Sequence, residues 1–121
     1  MLVRYKKSFE KIAMGLLSFM PQEKDVKHLM ETMQKYEQDD HWQLFFWKKG
    51  EEYIGIVGVF VDEKTATVQH ISVIPSHRGE GVALAMLQEL SNQYHTIHAN
   101  ETTKPFIEKC LSILNEAEGT E

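Results

Sequence analysis

Apolar side chains recur along this chain with two different periods, and the change of period divides it. LVRY at 2–5 has the length of a short strand. From Ser8 to Phe19 the apolar positions Phe9, Ile12, Leu16 and Phe19 lie three to four residues apart, which puts them on one side of a helix. Pro21 then stops the ladder, because proline has no backbone N–H to donate. Val26, Leu29, Met30, Met33 and Tyr36 make a second helical stripe, closed by the polar EQDDH.

After His41 the pattern becomes aromatic and β-branched. WQLFFWK (42–48) and YIGIVGVFV (53–61) are separated by KGEE, and DEKT separates the second run from ATVQHISVI (66–74). Three strand-like runs with such short connections predict an antiparallel meander. A glycine-containing loop follows, then a helix to about Tyr94, the strand-like HTIHA (95–99), and a last helix opening near Thr103 with Pro105 in its first turn. Phe106, Ile107, Cys110, Leu111 and Leu114 form its apolar stripe, and the tail from Glu116 to Glu121 reads as solvated. The predicted order is β-α-α-β-β-β-α-β-α, an α/β fold on a mixed sheet. Its one βαβ unit, from 66–74 through the helix to 95–99, is expected to be parallel and right-handed.

Bulk properties narrow the function. The chain of 121 residues suits one domain, 1–121, with one substantial core. No apolar run approaches the ~18 residues needed to cross a bilayer, and the N-terminus lacks the pattern of a secretory signal. A single cysteine, Cys110, fits a reducing compartment, so a cytoplasmic location is expected. It lies on an apolar stripe and reads as core, as do Met14, Met30 and Met33. The net charge of −5 argues against nucleic acid. No membrane partner and no metal site are expected.

The stretch HISVIPSHRGEGVALAMLQEL (70–90) carries the chemistry: a strand passing through Arg78, Gly79, Glu80 and Gly81 into a helix. A P-loop would need Lys-Ser or Lys-Thr after its last glycine, and Val82-Ala83 stands there. A dinucleotide fingerprint would need a third glycine where Leu84 stands. Glu101 lies at the distance of a ribose-binding acid, but a meander followed by one βαβ unit cannot form the two-halved crevice that fingerprint serves. The remaining pattern is Arg/Gln-x-x-Gly-x-Gly/Ala, matched from Arg78 to Ala83. Small residues there let backbone N–H groups at a helix N-terminus face a pyrophosphate, aided by the helix dipole.

This stretch resembles the signature motif of the GNAT superfamily of acyl-CoA N-acyltransferases, and the element order from Leu2 to about Leu114 is similar to theirs. More narrowly, the length and the opening MLVRYKKSFEKIAMGLLSFMP resemble the small GNAT-like protein encoded with riboflavin-synthesis genes in Gram-positive bacteria. The resemblance implies acetyl-CoA as cofactor. Ile71, Ser72 and Val73 would pair through their backbone with the pantetheine arm, and Arg78, Gly79, Glu80, Gly81, Val82 and Ala83 would hold the pyrophosphate. Asn100 would touch the cofactor and Phe106 would cover its thiol end. Coenzyme A carries roughly four negative charges, so cations near in sequence, His77, Arg78, Lys104 and Lys109, are expected to supply the attraction in an acidic protein.

Acetyl transfer to an amine needs a neutral amine, a base and a donor for the developing oxyanion, which backbone near Val73 could supply. Many family members also use a tyrosine seven residues after the asparagine as acid; here that position is Ile107. No glutamate stands on the 66–74 strand, where some members keep their base. His70, His95 and His98 have suitable chemistry, and His70, three residues before Val73, is the catalytic residue this reading selects. The alternative for His70 is a partly buried residue bonded to backbone. The C-terminal strands that usually wall the acceptor pocket are shortened or absent, leaving it open or completed by a second copy, a homodimer, through a sheet edge. Trp42, Phe45, Phe46, Trp47 and Tyr53 either line that pocket or are core. The implied function is transfer of acetyl to a primary amine of a small metabolite or a protein, with a link to riboflavin metabolism. The alternative is a non-catalytic CoA-binding sensor or assembly module. A small flavin-binding protein is a third idea, resting on the aromatic residues and the riboflavin resemblance.

Overall fold

The computed structural model describes residues 1–110. Its elements are β1 (Leu2–Arg4), α1 (Glu10–Leu17), α2 (Val26–Gln38), β2 (Trp42–Lys49), β3 (Glu52–Asp62), β4 (Thr65–Val73), α3 (Val82–Gln93) and β5 (Thr96–Ala99). A last helix, α4, occupies 104–110. Three short 3-10 turns, Lys7–Phe9, Pro21–Glu23 and Pro75–His77, join them. The expected Leu111 and Leu114 and the acidic tail lie outside the described residues.

The five strands form one sheet in the order β1-β2-β3-β4-β5. The first four are antiparallel neighbours, while β5 joins β4 in parallel through α3. The mixed sheet expected from the periodicity is thus observed. Its two faces carry two cores. One gathers Val57, Val68, Ile71 and Val73 under Met86, Leu87 and Leu90 of α3, with Ile107 and Cys110 of α4. The other sets Leu44, Phe46 and Ile56 against Leu16 and Leu17 of α1 and Leu29, Met33 and Tyr36 of α2. Burial pushes the Cys110 thiol pKa up, as suits a core cysteine rather than a nucleophile.

Both N-terminal helices sit in a different rotation from the expected one. In α1 the buried residues are Ala13, Leu16 and Leu17, with Ile12 and Phe19 exposed. Lys7–Phe9 is wound as a 3-10 turn, so the α-helical phase starts only at Glu10, and Ala13 lets the helix approach the sheet closely. In α2, Leu29, Thr32, Met33 and Tyr36 face inward, whereas Val26 and Met30 are exposed rather than core. Asp25 caps α2 by accepting from the Lys27 N–H at 3.1 Å. Phe45 and Phe46 are buried on opposite faces, and Trp42, Trp47 and Tyr53 pack against the cores. The aromatic run therefore serves the fold.

Candidate functional site

The site begins where β4 and β5 part. Their parallel pairing runs from Thr65↔Thr96 to Val68↔Ala99 and stops there. Beyond it the Thr103 hydroxyl donates to the Val68 carbonyl at 2.9 Å. On the other side of β4 the register slips between Gly58 and Val59, leaving Gln69 as the extra residue of a bulge. Past the bulge, Ile74 N–H bonds to the Ile54 carbonyl, so alternation assigns the backbone of Ser72 and His70 to β3 and turns that of Ile71 and Val73 toward the open side. Ser72 is thus removed from the expected backbone contacts to an extended ligand; Ile71 and Val73 remain. The chain's own side chains cover this edge: Ile71 N–H points at the Met20 sulfur at 3.3 Å, and Arg78 Nε donates to the Val73 carbonyl at 2.9 Å. Phe19 lies under the Arg78 guanidinium, 5.4 Å from ring centre to carbon.

The glycine loop follows directly. Arg78 N–H is already bonded to the Pro75 carbonyl, so Arg78 does not belong to the amide cup. Among the described residues, none of the backbone N–H groups from Gly79 to Leu84 has an internal acceptor, and Ala85 is the first to bond back, to Gly81. Gly79 and Gly81 both adopt left-handed backbone, φ +81 and +80, which is strained for any residue with a Cβ. Gly81 caps the N-terminus of α3, and no acidic residue occupies the first turn of that helix. Unpaired amides, positive dipole end and open space around both glycines fit a diphosphate.

The charges around the loop are arranged differently from expectation. Glu80 accepts from His77 Nδ1 at 2.9 Å and pairs with Lys49 Nζ at 3.6 Å. The His77 bond holds the Glu80 carboxyl below its ordinary pKa. Lys104 pairs with Glu108 on its own helix. Lys49, at the end of β2, is the nearby cation that distance along the chain concealed. Asn100 is spent internally: its amide donates to Gln69 Oε1 at 3.1 Å and its oxygen accepts from Thr103 N–H at 2.8 Å, which caps α4. This bonding fixes the direction of the side chain expected to touch the cofactor. Phe106 is exposed on α4.

His70 differs most from its expected setting. It is buried, and both ring nitrogens are engaged: Nδ1 lies 2.5 Å from the Tyr36 hydroxyl and Nε2 lies 3.0 Å from Glu23 Oε1. An open base facing the cleft is therefore replaced by a closed relay. The neutral ring satisfies both contacts, donating from Nε2–H to the carboxylate and accepting from the tyrosine at Nδ1. Thr32 Oγ1 donates to the same carboxylate at 3.0 Å, and His28 Nε2 lies 3.3 Å away. Tyr36 reaches His70 only because Gly58 stands opposite; a Cβ there would fall on the hydroxyl. Glu23, in the polar-looking PQEK, gave no sequence signal of burial. Ser72, two residues from His70 on the same strand face, keeps a buried hydroxyl with no partner among the described residues.

Burial lowers the His70 pKa from its ordinary 6.5, with the Glu23 carboxylate opposing the shift. Below pH 6.5 the unfolded chain binds a proton here that the folded chain resists. The stability contribution is thus full above 6.5 and is lost as pH falls from 6.5 toward the depressed folded value. Melting temperature should consequently fall more steeply between pH 7 and 5.5 in the wild type than in His70→Gln. Equal slopes would remove His70 as the source.

The acetyltransferase (GNAT) family profile matches residues 11–110. The chain belongs to the GNAT family. It is 53 % identical over 113 residues to an uncharacterised N-acetyltransferase of the lysA 3′ region of Bacillus methanolicus, covering 91 % of this chain and 94 % of that one. Solved structures share the fold at low identity. A possible acetyltransferase from Clostridium difficile 630 gives a TM-score of 0.73 at 8 % identity, over 93 % of this chain and 88 % of that one. AAC(6')-Iy, in complex with a CoA-containing bisubstrate analogue, gives 0.69 at 15 %, over 92 % and 85 %. GNAT acetyltransferases use acetyl-CoA. In this GNAT chain the amides from Gly79 to Leu84 and the β4 edge at Ile71 and Val73, once Met20 and Arg78 yield it, would hold that molecule, which supplies an acetyl group activated as a thioester.

Proposed function

We propose that this acetyltransferase moves acetyl from acetyl-CoA to a primary amine of a small metabolite or a protein, with His70 receiving the amine's proton through Tyr36. The observation that carries the catalytic reading is the ordered Tyr36–His70–Glu23 relay, whose central His70 lies on the strand that leads into the amide cup. Burial keeps the imidazole neutral and the carboxylate orients it, so it is free to accept a proton. The amides from Gly79 to Leu84 bind and orient the cofactor's diphosphate. Val73 N–H faces the thioester carbonyl from the β4 edge, and the unpartnered Ser72 hydroxyl receives the acceptor. A cytoplasmic location fits this chemistry; among the described residues no helix is long and apolar enough to cross a membrane. A flavin-precursor amine belongs among the acceptors to be tested, and a second copy at a sheet edge would complete the acceptor pocket.

A non-catalytic CoA-binding module is the second reading. It is favoured by Ile107, buried where the resemblance would place a tyrosine acid, and by the covering of the β4 edge by Met20 and Arg78.

Thiol release from acetyl-CoA, measured against a panel of amines, separates the two. The enzyme reading expects one amine class to accelerate release. It also expects His70→Ala to lower kcat by about a hundredfold or more, the scale of a lost general base, while CoA affinity is kept. Tight CoA binding with release that no amine accelerates would leave the binding module.

A further inference from the structure

We infer that Glu23 and His28 form the route by which His70 returns its proton to solvent. This rests on the acetyltransferase reading. Converting a protonated amine and a thioester into an amide and a thiol forms one N–C bond and breaks one C–S bond. Nitrogen sheds two protons in that exchange; one ends on sulfur and the other must reach water. His70 is too enclosed to hand it over directly.

The geometry supplies a path. His70 Nε2 and His28 Nε2 approach the same oxygen, Glu23 Oε1, at 3.0 and 3.3 Å. The Glu23 side chain is 1 % exposed and that of His28 is 49 % exposed, so the three groups run from interior to surface. When His70 gains a proton at Nδ1 from the Tyr36 hydroxyl, its Nε2–H bond can break as an Oε1–H bond forms on Glu23. The same oxygen then gives the proton to His28, which exchanges with water. The Thr32 hydroxyl contacts both carboxylate oxygens, at 3.0 and 3.2 Å, and fixes their direction. Burial is the main reason a positive charge is not retained on His70; Glu23 opposes it, and His28 and Lys35 of α2 add smaller repulsions.

Helix stability does not explain His28. It sits in the first turn of α2, where the dipole opposes positive charge, and its ring turns back to Glu23.

The test is His28→Ala in the full chain, assayed with the best acceptor amine at low buffer concentration across pH 6 to 9, with and without added imidazole. We expect kcat to drop by about tenfold, less than the roughly hundredfold minimum of a group that meets the reacting atoms, because His28 acts only on the proton's release. Imidazole should restore it, with melting temperature and acetyl-CoA KM unchanged. Glu23→Gln should lose kcat without rescue, because its site is closed to imidazole. An active wild type matched by His28→Ala at every buffer level overturns the exit alone. So does a loss that imidazole cannot restore and that accompanies a lower melting temperature. A wild type that binds CoA but shows no amine-dependent turnover overturns the acetyltransferase reading and the exit together.

Discussion

Gly58→Val should lower the melting temperature by about 10 °C, following a loss of roughly 3 kcal/mol from overpacking and one broken buried hydrogen bond. Gly58 lies on β3 directly opposite His70, and any Cβ there would occupy the position of the Tyr36 hydroxyl and crowd its ring. Tyr36 cannot swing aside freely, because it packs edge-on against Trp42 at 5.2 Å and is buried among Leu29, Met33 and Leu44. Expelling it leaves His70 Nδ1 without its donor, so amine-dependent turnover should fall with stability. Gly15→Ala is the control. Gly15 lies within α1 with no atom near a Cβ, and alanine there should stabilise by about 0.5–1 kcal/mol through helix propensity. Thermal melts and thiol release on both variants decide the matter. A Gly58→Val protein with wild-type melting and turnover would show that the Tyr36–His70 contact does not exist in solution.

Gly81→Val should weaken CoA binding by about tenfold or more, or ~1.4 kcal/mol per decade. Two effects act together. The left-handed φ of +80 is unfavourable for a β-branched residue, so the loop would move. A side chain that kept the native conformation would project into the open space before the free amides of Gly79 to Leu84. Calorimetry with CoA measures the loss, and a melting curve guards against general unfolding. Unchanged affinity in a folded variant would mean that the diphosphate binds somewhere other than this loop.

The loop was legible in the sequence because its chemistry is backbone chemistry. Two glycines, a strand before and a helix after suffice to expose amides, whatever the surrounding side chains do. Even there the register needed coordinates: Arg78 spends its N–H on Pro75 and its guanidinium on Val73, which moves the start of the cup to Gly79. The relay was only half legible. His70 could be chosen by type and by its place before Val73, but its partners come from the Pro21–Glu23 turn and α2, 47 and 34 residues away. Glu23 sits in a stretch whose composition indicates solvent, and nothing local reveals that the turn folds inward.

The amino-acid order alone settled the alternation of elements, the mixed sheet and the glycine loop with its exposed amides, since each follows from local periodicity, strand pairing between neighbours and the absence of side chains at two positions. Packing decided the rest. Which side of α1 and α2 turns inward depends on how each helix meets the sheet, and the stripes of Ile12, Val26 and Met30 were equally good on paper. Whether His70 stands open or bonded on both sides depends on three segments meeting around one carboxylate. Contacts between distant segments carry no periodic trace along the chain, so the fold's third dimension alone could assign the partners.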